Sequence, residues 1–206
     1  MAEQDLPQIY LITPTEFELS RFSGELAGVL DAHEVACVRL AMSSADEDAL
    51  SRAADALREI TDARDVALVV EKHILLAERM GLDGVHLTDG ARSVSKARKS
   101  LGDDAIVGAY CEASRHTGMS AGEAGADYVS FGPLGETTLG DGSTVDLELF
   151  EWWSQMIEVP VVAEGMLNSD LVKQVAPFTD FFGFGNEIWS QDEPSKALAG
   201  FKALMV

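Results

Sequence analysis

The sequence predicts one compact α/β domain spanning residues 1–206, a (β/α)₈ TIM barrel, and three observations carry that prediction. Eight short apolar runs alternate with longer amphipathic segments from one end of the chain to the other. Several of these runs are apolar on both faces, as a parallel strand must be when it lies between a barrel interior and a layer of helices. No linker, low-complexity tract or change in strand character divides the chain into two halves, which disfavours a doubly wound open sheet.

The runs can be taken in order, with the residues that follow each. QIYLIT (8–13) ends on Thr13, and VACVRL (35–40) carries Arg39 near its end. The segment DEDALSRAADALREI then places Leu50, Ala53, Ala54, Leu57 and Ile60 on one helical stripe, with Ser44 or Asp46 positioned to cap it. VALVV (66–70) leads into Glu71, Lys72 and His73, and GVHL (84–87) into Thr88 and Asp89. AIVGAY (105–110) ends on Tyr110. YVSFG (128–132) opens a glycine-rich loop that holds Thr137 and Thr138 but no basic residue. In LELFEWWSQMI, Leu149, Trp152, Trp153 and Met156 form a second apolar stripe. VPVVAE (159–164) ends on Glu164, and FFGFG (181–185) is followed by Asn186.

Composition narrows the partners. Thirty-five acids against 15 bases give a net charge of −20, which excludes a phosphate backbone or an anionic membrane as a natural partner. From Asp103 to Asp170 there are 13 acids and one base, Arg115, so the half of the barrel that should hold phosphates is strongly negative. Cys37 and Cys111 form neither a disulfide framework nor a CxxC motif, and Cys111 lacks an obvious activating base. The N-terminus has no secretory pattern, and no apolar run approaches the roughly 18 residues of a membrane span. The expectation is a cytoplasmic protein.

In such a barrel the site lies at the C-terminal ends of the strands, and the loops after the seventh and eighth strands commonly hold a phosphate. Gly165 and Gly185 allow close backbone approach there, and Asn168 or Ser169 can start the following helix. GFGNEI is a poor dinucleotide fingerprint, because Ile188 stands at the third glycine and the motif follows the last strand. Arg39 reads either as an anion binder or as the partner of an internal ion pair with Glu71 or Asp89. Lys72 is either the flank of a helix or an ammonium that stands where a metal would. Glu71, Asp89 and Glu164 could form an acid/base pair or a metal site, while His86, in mid-strand, reads as structural.

IYLITP at the first strand, GLDGVHL at the fourth, AGADYVSFGPLGETT at the sixth and VPVVAEGML at the seventh together resemble thiamine phosphate synthase and its relative, the thiazole tautomerase TenI. The pairing of DGVHL with FGPLxxT about 45 residues later is the most specific part. The resemblance implies a (β/α)₈ barrel that joins hydroxymethylpyrimidine pyrophosphate to a thiazole phosphate with Mg²⁺, so the ligand would be a small phosphorylated heterocycle. It also implies pairing of two copies through outer helices.

Position by position the match is partial. Arg39 fits the family arginine and Thr137 the loop threonine, with Glu136 beside it as in TenI. Gly165 fits the seventh-strand glycine, and Gly185 belongs to the phosphate loops. Ala41 stands for a lysine, Glu71 and Lys72 for an Asn-Asp pair, Asp89 and Gly90 for a glutamine and an acid, and Tyr110 for a serine. Gly140 falls near the pyrophosphate lysine, Pro133 replaces the histidine ascribed to TenI catalysis, and Glu164 replaces an isoleucine. Met166 replaces the second glycine and Asn186 a serine. The resemblance therefore assigns Arg39, Lys72 and Thr137 to catalysis, and Tyr110, Glu164, Gly165, Gly185 and Asn186 to substrate binding. Glu71 and Asp89 are its Mg²⁺ candidates. An isomerase using Glu71, Asp89 or Glu164 as a base, or a binding protein without turnover, would fit the same scaffold.

Overall fold

The computed structural model describes residues 6–44, 46–136 and 143–206. Eight parallel strands close into a barrel in chain order, and β8 pairs back onto β1. They are β1 (Gln8–Ile12), β2 (Cys37–Leu40), β3 (Ala67–Glu71), β4 (Gly84–Leu87), β5 (Ile106–Tyr110), β6 (Tyr128–Phe131), β7 (Val161–Glu164) and β8 (Phe181–Phe184). Around them lie α1 (Leu19–Ala32), α2 (Glu47–Asp62), α3 (Ile74–Met80), α4 (Val94–Leu101), α5 (Arg115–Glu123), α6 (Leu147–Met156), α7 (Ser169–Val175), α8 (Asn186–Trp189) and α9 (Pro194–Lys202). Closure leaves no strand edge unpaired, which an open doubly wound sheet could not achieve. No helix among the described residues is long and apolar enough to cross a membrane.

The strand period of two divides the core into two parts. Outward-facing Leu11, Val38, Leu68, Val107, Phe131 and Phe182 are fully buried against the helix layer. Inward-facing Tyr10, Cys37, Val69, Tyr128 and Val162 form a separate cluster inside the barrel. Gly108 makes room for the largest of these, since a Cβ there would lie 2.0 Å from Tyr128 Cζ.

A repeated aspartate fixes the N-terminal end of the barrel. Asp83, Asp127 and Asp180 stand just before β4, β6 and β8. Their carboxylates accept the backbone N–H of Leu68, Val107 and Val161 at 2.7, 2.7 and 2.8 Å, each on the preceding strand. Helix starts are fixed in the same local way. Asp46 caps α2 by accepting from the Asp48 N–H, and Asn168 caps α7 by accepting from the Asp170 and Leu171 N–H groups.

The α6 stripe differs from expectation at its end. Leu149 and Trp153 are buried, but Met156 is 64% exposed, and Phe150, outside the expected stripe, is fully buried. Trp153 sets that rotation by packing on Phe131 with ring centroids 4.9 Å apart and donating its indole N–H to Val159 O.

Candidate active site

Two residues beyond four of the five interior cluster side chains the strands turn polar, the exception being Tyr10, which leads to Ile12. Arg39 follows Cys37, Glu71 follows Val69, Ser130 follows Tyr128 and Glu164 follows Val162. The period of two therefore aims all four inward, one layer nearer the C-terminal mouth. Arg39, Glu71 and Glu164 line a cavity of about 1600 Å³, which Tyr110, Gly165, Gly185 and Asn186 also border.

Arg39 organises the floor. Its Nη1 lies 2.7 Å from His86 Nε2 and 2.9 Å from Glu164 Oε2, and its Nε lies 3.7 Å from Glu71 Oε2. A guanidinium only donates, so His86 Nε2 accepts and the imidazole proton sits on Nδ1. That N–H donates to Tyr128 Oη at 2.8 Å, and Tyr128 shares a 2.6 Å hydrogen bond with Tyr10. His86 is thus structural, with both ring nitrogens engaged. Burial pushes its pKa well below the ordinary value, and the charges of Arg39 and Lys72 push the same way. The expected internal ion pair forms with Glu71 and Glu164, not with Asp89.

The charge state follows from these contacts. Burial disfavours the Arg39 cation, but the Glu164 carboxylate and the neighbouring groups outweigh it and raise the pKa. Burial raises the Glu164 pKa, and Arg39 opposes that rise. Among the described residues, Arg39 Nε, Ser130 Oγ and Glu164 Oε2 are buried in this layer without a well-aligned hydrogen bond, although Glu164 Oε2 faces the Arg39 cation at 2.9 Å. Glu164 Oε2 is close to Nη1 but out of line with its N–H, so the contact is an ion pair rather than a hydrogen bond. Unused polar capacity beneath an open cavity is what a ligand's polar groups can satisfy.

The remaining candidates are placed unequally. Tyr110 donates its hydroxyl to Gly132 O at 2.6 Å, and burial, followed by Glu164, pushes its pKa up to about 12. Lys72 has a left-handed backbone (φ 68°), and its side chain is 61% exposed with the ammonium 3.1 Å from Glu71 Oε1. Asp89 lines a separate hollow of about 460 Å³ and accepts a hydrogen bond from the Ser93 hydroxyl. Glu71 and Asp89 are not brought together. No cluster of three or more His, Cys, Asp or Glu among the described residues could hold a metal ion. The carboxylates present do not fit a magnesium site built by the protein alone, because Glu71 is engaged by Arg39 and Lys72. Thr137, Gly140 and Asp141 lie outside the described residues. Cys111 is buried, and burial pushes its thiol up to about 12, which makes it inert.

The loops after β7 and β8 hold a group that the sequence reading missed. Glu187 accepts the Leu167 backbone N–H on Oε1 at 3.1 Å and the Gly185 N–H on Oε2 at 2.8 Å, tying the two loops together. Gly165 (φ 89°) and Met166 (φ 55°) are consecutive left-handed residues that turn the first loop toward it. No local pattern announces Glu187, whose partner Leu167 lies 20 residues away. Ser130 was also missed, although strand alternation from Tyr128 points to it.

A family model described as thiamine monophosphate synthase matches residues 9–179. The chain belongs to that family. Among curated relatives, the thiamine-phosphate synthase of Rhodospirillum centenum is 41% identical over 201 residues, covering 96% of this chain and 97% of that one. That of Erythrobacter litoralis is 40% identical over 200 residues, covering 94% and 93%. The solved thiamine phosphate pyrophosphorylase from Pyrococcus furiosus superposes with a TM-score of 0.81, at 22% identity, over 96% of this chain and 95% of that one. At that identity the likeness concerns the fold. The matched span of the thiamine monophosphate synthase family includes the Arg39, Glu71 and Glu164 layer but stops short of Gly185, Asn186 and Glu187.

Proposed function

We propose that this member of the thiamine monophosphate synthase family acts in thiamine biosynthesis as a transferase that joins an activated pyrimidine to a thiazole in the barrel cavity. The supporting observation is the inward layer of Arg39, Glu71 and Glu164 at the mouth, in a chain similar over nearly its whole length to curated synthases. In the reaction, the bond between the pyrimidine methylene carbon and the pyrophosphate oxygen breaks, and its electron pair leaves with pyrophosphate. The thiazole nitrogen lone pair then forms the new C–N bond, and the product ring is a cation.

Positive charge therefore develops on the methylene and persists on the thiazolium. Glu71 and Glu164 supply fixed negative charge toward it from the cavity floor, and Arg39 holds both carboxylates in place. Lys72, paired with Glu71 beside the cavity, supplies an exposed ammonium toward the departing polyanion, Thr137 contributes from the sequence that follows β6, and Tyr110 and Asn186 border the substrate. As a cytoplasmic enzyme the protein pairs with a second copy through its outer helices, and sedimentation of the purified chain tests that pairing.

The test of the activity is coupling of the pyrimidine pyrophosphate with a thiazole, offered as the alcohol and as its phosphate in separate reactions with Mg²⁺, followed by mass spectrometry. Coupled product is expected, and Arg39→Met is expected to lower its rate by about 100-fold or more. Absence of product with both thiazoles overturns the reading.

A further inference from the structure

Arg39 is held by carboxylates on one side and by a chain of neutral groups on the other. Its Nη1 donates to His86 Nε2 at 2.7 Å, and His86 Nδ1–H donates to Tyr128 Oη at 2.8 Å. Tyr128 in turn shares its 2.6 Å hydrogen bond with Tyr10. Barrel register builds this chain. His86 on β4 pairs with Gly108 on β5, and Gly108 pairs with Tyr128 on β6, so the three stand in one row around the wall. Gly108 brings no side chain to that row, and the space its Cβ would take is filled by the Tyr128 ring. Tyr128 thereby reaches across β5 to lie against His86, with ring centroids 5.7 Å apart and planes 23° from parallel. Tyr10 meets it edge-on at 5.6 Å.

The two ends of the chain differ in what they face. Arg39 and His86 line the cavity, whereas Tyr128 and Tyr10 lie beneath it and line none of it. All four are buried, so solvent has little access to replace a lost partner. An imidazole turns about the bond that joins it to its Cβ, and hydrogen bonds at both ring nitrogens fix that rotation. Without the Tyr128 oxygen, Nδ1–H would be buried and unpaired, and the ring would be anchored at Nε2 alone. Arg39 Nη1 is shared between His86 and Glu164, so a loosened imidazole leaves the guanidinium to the pull of the carboxylates.

We infer that Tyr128, two side chains removed from the substrate, positions Arg39 through His86 and so keeps Glu71 and Glu164 aligned for the transfer. The inference rests on the proposed transfer for the reaction that is read, and on the chain of contacts for the link. Tyr128→Phe tests it, because the variant keeps the ring in its slot and removes only the oxygen. Steady-state coupling of the pyrimidine pyrophosphate with the thiazole phosphate is expected to show kcat lowered by at least about tenfold. The KM of each substrate is expected to stay within about twofold, since the aligned charges act on the transition state. In a His86→Gln background, where no imidazole remains to be turned, adding Tyr128→Phe is expected to change kcat by less than about twofold. Nitrogen-15 spectra of the wild type are expected to show His86, assigned by its loss in His86→Gln, carrying its proton on Nδ1.

An unchanged kcat in Tyr128→Phe, a loss confined to KM, or a loss that persists in the His86→Gln background overturns the inference. So does a wild-type His86 that carries its proton on Nε2, and that measurement decides alone should Tyr128→Phe fail to fold. A wild type that couples nothing removes the synthase reading. The positioning is then decided by the Arg39 Nε–H resonance, which Tyr128→Phe must shift if the link is real. A wild type that couples while Tyr128→Phe couples equally well leaves the synthase reading intact and removes this one.

Discussion

Replacing Arg39 by methionine removes the one cation that holds the cavity floor together. Its side chain is 8% exposed, as is that of Glu164, and Glu71 is 20% exposed, so solvent cannot readily take its place. The variant leaves buried Glu164 without its cation, Glu71 with Lys72 alone and His86 Nε2 without its donor. Breaking a buried pair from one side typically costs about 3–5 kcal/mol. In a domain of this size that corresponds to a fall in Tm of roughly 6–20 °C. The loss should depend on pH in a definite direction. Without Arg39, burial raises the Glu164 pKa and Glu71 adds to the rise, with the Ser130 hydroxyl left to oppose them. The folded state then holds more protons than the unfolded chain between the ordinary carboxylate pKa and the raised one, so stability falls as pH increases through that window. Chemical denaturation at pH 5 and pH 8 should show the smaller loss at pH 5. The double variant Arg39→Met/Glu164→Gln should recover about 1–3 kcal/mol of coupling. A loss within about 1 kcal/mol of wild type at both pH values, or one that does not vary with pH, would refute the ion-paired floor.

Three further outcomes rest on separate contacts. The neutral His86 has a pKa well below its ordinary value, so the unfolded chain takes up a proton near pH 6.5 that the folded state refuses. Stability should therefore drop as pH falls below about 6.5, by up to about 1.4 kcal/mol per unit, and urea melts of wild type and His86→Gln should show the slope lessened in the variant. Gly108→Ala places a Cβ 2.0 Å from the buried Tyr128 ring, and thermal melting should show a loss of about 3 kcal/mol or failure to fold. Asp127→Ala leaves the Val107 N–H without its acceptor and removes the carboxylate partner of Arg98, and denaturation should register a loss of about 1–3 kcal/mol.

The strands were legible because burial on both faces leaves little room for anything but β-branched, aromatic and aliphatic residues, so each apolar run marks its strand to within about two positions. The polar residues after those runs were less legible, because position along the chain does not fix direction. Arg39, Glu71, Tyr110 and Glu164 share parity with Cys37, Val69, Gly108 and Val162, and all line the cavity. Lys72 and Asp89 fall one residue out of step with Glu71 and Thr88. One is largely exposed, and the other lines a different hollow. Counting in twos from an interior residue would have separated the groups before any coordinates, and would also have found Ser130. Glu187 is of another kind. Its tie to Leu167 exists only once barrel closure brings the β7 loop against the start of α8, and no spacing within the chain encodes that contact.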